Sequence, residues 1–142
     1  MATTRTASAH WEGTLLEGAG QVSLESSGIG TYDVTWPARA EAANGKTSPE
    51  ELIAAAHSTC YSMSLSLALT KAGTPPTTLD TTADVTFQPG TGITGVALRV
   101  VGSVPGITAA QFDEAAQAAK DACPVSKALA AVPITLEAKL AE

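Results

Sequence analysis

Polar and apolar positions alternate most cleanly over residues 78–88. Leu79, Thr81, Ala83, Val85 and Phe87 interleave with Thr78, Asp80, Thr82, Asp84 and Thr86. A period of two predicts a strand with one face on a core and the other in solvent. Pro89-Gly90-Thr91-Gly92 then turns the chain into a second strand, Thr94–Val104, which Pro105-Gly106 ends. Shorter β-prone runs at Ser8–Thr14, Gln21–Ser26 and Thr31–Trp36 are separated by glycine-containing turns. They predict an antiparallel meander, ended by Pro37 and followed by a loop over Ala38–Thr47. Ile134–Leu140 predicts a last strand.

Between these runs the pattern changes to helix. Ser48-Pro49-Glu50-Glu51 is a capping-box sequence with proline at the first helical position, and it opens a helix over 48–72. Both glutamates lie at the positive end of that helix's dipole. Gly73 and Pro75-Pro76 stop it. Thr108-Ala109-Ala110-Gln111 is a second capping box, opening a helix to about Ala122. Pro124 breaks that helix and suits the start of a short one, Pro124–Ala131. The order βββ-α-ββ-αα-β predicts a single α+β domain over 1–142, with antiparallel sheets and a long buried central helix.

The central helix is unusual. Leu52–Thr70 contains no Asp, Glu, Lys or Arg. That length raises a transmembrane span. His57 and the many Ser and Thr residues argue instead for a helix buried within protein or within a dimer.

Composition narrows the class. Lys and Arg number 8 against 14 Asp and Glu, for a net charge of −6. This argues against nucleic acid or an anionic membrane as partner. Aromatic residues are only 4% of the chain, so its core is aliphatic and subunit association would help stabilise it. The N-terminal MATTRTASAHWEGT has no apolar secretory core, so a cytoplasmic location with reduced thiols is expected.

Four chemistries are worth weighing. His10, His57, Cys60 and Cys123 are the candidate metal ligands, but only His57 and Cys60 have helical ligand spacing. No nucleophile-elbow motif supports serine hydrolysis. Gly28-Ile29-Gly30 precedes a strand, so a hairpin turn explains it better than a phosphate loop. Thiol chemistry is the fourth. Cys60 lies about 15 Å into the helix, too far for the dipole to activate it, so a cation is needed. Arg39 in the preceding loop is the best candidate, and a carboxylate would have to hold it. Helical phase puts Glu50 about 80° from Cys60 and Glu51 about 180° away. Glu50 is therefore the candidate partner of Arg39, and Glu51 the structural cap. Cys123, immediately before Pro124, can cap the short helix, where unpaired N–H groups favour a thiolate. A disulfide that forms and breaks in turnover, a static bridge and two unrelated thiols all remain open from these residues alone.

The chain resembles the OsmC/Ohr family, in its OsmC branch. The resemblance is carried by Ala9-His10-Trp11-Glu12-Gly13, by Pro49-Glu50-Glu51-Leu52 through His57-Ser58-Thr59-Cys60, and by Cys123-Pro124-Val125-Ser126. Thr59 and Tyr61 stand where Ala and Phe are usual in the family. The resemblance implies an OsmC-like fold in an intertwined homodimer, with the sites at the interface. It implies a peroxidase needing no metal, haem or other bound cofactor. Cys60 would attack an organic hydroperoxide, Cys123 would resolve the product as a disulfide, and Arg39 with Glu50 would activate Cys60. An external dithiol, with a lipoyl group as the family precedent, would reduce the disulfide. The rival reading is a non-catalytic small-molecule or peptide binding module using the same groove.

Overall fold

The computed structural model describes residues 1–142. The chain forms two compact units, Met1–Leu52 and Ile53–Glu142.

The N-terminal unit holds the meander. Strands β1 (Ser8–Glu12), β2 (Ala19–Ser23) and β3 (Thr31–Val34) form an antiparallel sheet in the order β1-β2-β3. Every residue of β1 is exposed. Pro37 does not open a loop as expected. It lies in the first turn of a short helix α1 (Trp36–Ala40), whose N-cap Thr35 accepts from the Ala38 N–H at 3.2 Å. Proline has no N–H to lose at that position, so it starts a helix as readily as it ends a strand. The unit closes on the first turn of α2 (Pro49–Lys71). There Ser48 Oγ accepts from the Glu51 N–H at 3.1 Å, and the Glu51 carboxylate accepts from the Thr47 hydroxyl at 2.6 Å. The Ser48 half of the capping box thus forms, while the Glu51 carboxylate is turned to Thr47 rather than back to the Ser48 N–H.

The C-terminal unit carries the core. Strands β4 (Thr78–Gln88), β5 (Gly92–Ser103) and β6 (Ile134–Leu140) form a sheet in the order β4-β5-β6. β4 has the inward and outward alternation its sequence predicts. β4 and β5 are antiparallel, but β5 and β6 are parallel. The expectation of wholly antiparallel sheets is therefore corrected. Between β5 and β6 the chain runs through α3 (Ala109–Ala122) and α4 (Pro124–Ala128), a crossover long enough to bring it back to the same end of the sheet. The capping box at the start of α3 closes in both directions, Gln111 N–H to Thr108 Oγ1 at 3.1 Å and Thr108 N–H to Gln111 Oε1 at 3.0 Å.

Val96, Leu98 and Val100 of β5, Phe112, Ala116 and Ala119 of α3, and Tyr61, Leu65 and Leu69 of α2 form the buried cluster. The α2 members, with His57, recur every four residues and so form one stripe. Around the helix Met63 and Leu67 stay 68% and 55% exposed. By length and composition α2 would suffice to cross a membrane. Within a single chain it is buried on one stripe rather than all round.

Candidate active site

The six-residue sequence from Pro49 to Ala54 begins α2 with its acids at the helix N-terminus, and this brings Glu50 to Arg39. Arg39, in the last turn of α1, donates from Nε to Glu50 Oε1 at 2.8 Å and to Oε2 at 3.2 Å. Its Nη2 lies 2.8 Å from the same Oε1. The Glu50 residue is 6% exposed, and the Arg39 side chain 30%. A planar guanidinium held by a buried carboxylate through two nitrogens has a fixed position, which a lysine would lack. The pair chosen by helical phase is the pair that forms.

The two cysteines meet in the C-terminal unit. Both are free thiols, Cys60 half-buried and Cys123 wholly buried. They are close enough for each side chain to shift the ionisation of the other. Cys123 is the N-cap of α4, as Pro124 after it foretells, although its sulfur makes no regular cap hydrogen bond. Burial pushes the Cys60 thiol up, and the neighbouring Cys123 adds to this against help from the Val125 N–H and the Ser64 side chain. Burial also pushes Cys123 up, but the Ser126 N–H, the Cys60 side chain, the Ser126 hydroxyl and the Val125 N–H outweigh it and bring that thiol below its ordinary value. Within this unit, then, Cys123 is the better thiolate. Cys60 is left needing a cation.

Two neighbours were not foreseen. Tyr61, a departure from the usual Phe, is fully buried and donates its hydroxyl to the Ala116 carbonyl at 2.9 Å. Burial, then Cys123 and Asp113, push its phenol well above the ordinary range, so it stays neutral. His57 is turned to Ser126, with Nε2 2.8 Å from Oγ. Its spacing to Cys60 suggested a metal ligand. No three His, Cys, Asp or Glu side chains cluster anywhere in the chain. His10 is exposed and lies 3.4 Å from Glu12.

Relatives decide what this pairing belongs to. The family described as OsmC-like protein matches residues 42–137. The chain belongs to the OsmC family. It is 48% identical over 135 residues to the protein named peroxiredoxin OsmC of Escherichia coli (strain K12), covering 93% of each. The Shigella flexneri protein of the same name matches to the same extent. At that identity and coverage this OsmC-family chain is an enzyme, a peroxidase. Solved structures share its fold at lower identity. The OsmC-like protein of Mycoplasma pneumoniae superposes with a TM-score of 0.73 at 13% identity, covering 100% of both chains. The organic hydroperoxide resistance protein OsmC of Legionella pneumophila superposes with 0.72 at 19%, over 100% of this chain and 99% of its own.

Proposed function

We propose that this peroxidase reduces organic hydroperoxides, and hydrogen peroxide more weakly, by a two-cysteine cycle. The observation that carries the reading is the closeness of the half-buried Cys60 to the buried Cys123. The Cys60 thiolate attacks the outer oxygen of the hydroperoxide. The O–O bond breaks, the alkoxide takes a proton and leaves as the alcohol, and Cys60 becomes a sulfenic acid. Cys123 attacks that sulfur, and hydroxide leaves as water with the Cys123 proton. An external dithiol then reduces the disulfide and is itself oxidised to a disulfide.

The cation that Cys60 needs is Arg39, held by Glu50. On α2, Glu50 and Cys60 are separated by about 15 Å of helix rise. A guanidinium clamped to Glu50 is therefore better placed for Cys60 of the partner subunit, in an intertwined homodimer whose two α2 helices run side by side. The exposed Met63 and Leu67 on α2 support such a dimer. Met63 lines an open groove with Leu67, Thr77 and Leu79. A reducing compartment, the cytoplasm, and a reductant such as a lipoyl dithiol complete the reading. No metal or bound cofactor enters the cycle.

Peroxide consumption with cumene hydroperoxide and dithiothreitol tests it. Cys60→Ser removes activity. With dithiothreitol left out, Cys123→Ser consumes one equivalent, accumulates the Cys60 sulfenic acid by mass spectrometry, and then stops. Stoichiometric binding of the hydroperoxide with no consumption by the wild type would instead favour a binding module.

A further inference from the structure

His57 has no part in the cycle above, yet it is a fully buried titratable group hydrogen-bonded to Ser126, which lies three residues after Cys123. Its Nε2 lies 2.8 Å from Ser126 Oγ, and Ser126 is itself only 6% exposed. Its Nδ1 is buried with no hydrogen-bond partner. These two nitrogens settle where the ring proton sits. Burial pushes the pKa of His57 down, so the ring is neutral and carries one N–H. On Nδ1 that N–H would be a buried donor without an acceptor, which costs about 1–3 kcal/mol. A bare ring nitrogen is the smaller loss, since buried orphan donors are rarer than under-satisfied acceptors. The proton is therefore on Nε2, and His57 donates to Ser126 Oγ. The Ser126 hydroxyl hydrogen is then directed away from His57. The acceptor available to it is the Cys123 sulfur, three residues back at the N-cap of α4, whose thiol Ser126 pulls down through its hydroxyl and its N–H. The links run in one direction, from His57 Nε2–H to Ser126 Oγ–H to Cys123 Sγ.

Exposure assigns the step this serves. Cys123 is wholly buried, while Cys60 is half-buried. An incoming reductant reaches the Cys60 sulfur of a Cys60–Cys123 bridge first. We propose that His57 is a positioning residue which, through Ser126, makes Cys123 the departing sulfur when that bridge is reduced. This rests on the two-cysteine cycle proposed above. In the step, the thiolate of a dithiol bonds to Cys60 Sγ, the S–S bond breaks, and its electron pair leaves on Cys123 Sγ. The Ser126 hydroxyl stabilises that thiolate without giving up its proton. The second thiol of the reductant, on losing its proton, attacks the reductant sulfur of the mixed disulfide. Cys60 leaves as a thiolate and the reductant closes to its own disulfide. A leaving thiol of lower pKa leaves faster. The titratable groups facing Cys123 are Cys60 and the Tyr61 phenol, the latter neutral and committed to Ala116.

The test reads Cys123 without any peroxide. In a Cys60→Ser background the Cys123 thiolate is titrated by its ultraviolet absorbance. Ser126→Ala raises the midpoint by about one pH unit, the size of one hydrogen bond to a charged group. His57→Phe raises it by less. His57→Gln restores it, because the longer amide carries an N–H to the Nε2 position. In the two-cysteine protein, oxidised with diamide, reduction by dithiothreitol slows about threefold with Ser126→Ala, because the leaving sulfur carries only part of the charge in the transition state. Equal midpoints for the parent and Ser126→Ala, or identical behaviour of His57→Gln and His57→Phe, would overturn the proposal. If His57→Phe fails to fold, His57→Asn, whose shorter amide does not reach the Nε2 position, takes its place against His57→Gln. A wild type that consumes no peroxide would sink the catalytic cycle while leaving these midpoints readable.

Discussion

At the scale of single residues, the chain separates holding a charge from using it. Glu50 is buried and Arg39 is partly exposed, so the carboxylate fixes the guanidinium in place rather than reacting. Cys60 is pushed up by burial and by Cys123, so without a cation its thiolate fraction at neutral pH is small. In the proposed cycle the rate of peroxide attack rises with pH through the Cys60 titration, because only the thiolate attacks. Weakening the cation moves that limb to higher pH. Arg39→Lys keeps the charge and loses the two-nitrogen grip on Glu50. It is expected to slow attack about tenfold at neutral pH and to recover at alkaline pH, as a shift of about one pKa unit requires. A pH profile of single-turnover peroxide attack checks this, and an unmoved profile would remove Arg39 from the activation of Cys60. Arg39→Ala is less informative, since it strands a buried carboxylate and lowers stability as well. The Arg39–Glu50 pair was legible in the sequence, because helical phase alone separates Glu50 from Glu51. The His57–Ser126 bond was not. Its partners are 69 residues apart, and nothing local to either one points to the other.

At the scale of elements, packing in the C-terminal unit depends on one small residue. A Cβ at Gly102 of β5 would lie 2.6 Å from both Cε1 and Cζ of Phe112 on α3, and 3.1 Å from Cδ2 of Leu79 on β4. Phe112 is 1% exposed, so its ring is held within the core. Gly102→Ala is therefore expected to cost about 1–3 kcal/mol through overpacking. A urea titration reads this as a lower midpoint with an unchanged slope. Phe112→Leu in the same chain should recover part of the loss, whereas additive losses would mean that the ring is not what Gly102 accommodates. Much of this architecture could be read in advance. The bounds Thr78–Gln88 and Ile134–Leu140 follow from alternation and from the proline and glycine beside them. Strand direction did not follow, because Ile134–Leu140 alternates identically whichever way it runs. The crossover through α3 and α4 makes it parallel to β5. Helix α1 was missed although its signal was present, since Thr35 before Trp36-Pro37 is an N-cap followed by a favoured first-turn proline.

At the scale of the whole molecule, burial is lopsided. Every buried hydrophobic side chain falls between Tyr61 and Cys123, and β1 is exposed throughout, Trp11 included. In the unit Met1–Leu52 the buried residue is Glu50, a charged one. A three-stranded sheet without buried apolar side chains gains little from folding by itself. On α2 the exposed Met63 and Leu67 face solvent on a helix whose middle carries no charge to keep water favourable. Both features are accounted for if a second copy covers them, as in the homodimer proposed for the active form. The expectation is a particle of twice the chain mass by light scattering. Its melting temperature rises with protein concentration, because dissociation accompanies unfolding. Leu67→Glu buries a charge in such an interface and should yield monomer that melts lower and loses peroxidase activity, with Cys60 deprived of its cation. Leu65→Ala, on the opposite stripe, should cost about 2–5 kcal/mol by leaving a cavity in the core of each chain. The two substitutions thus separate the faces of one helix. A monomer at micromolar concentration with a concentration-independent melting temperature would rule out the dimer, and with it the delivery of Arg39 from a partner. Arg39 would then have to act on Cys60 of its own chain, across the helix rise that sets Glu50 apart from it.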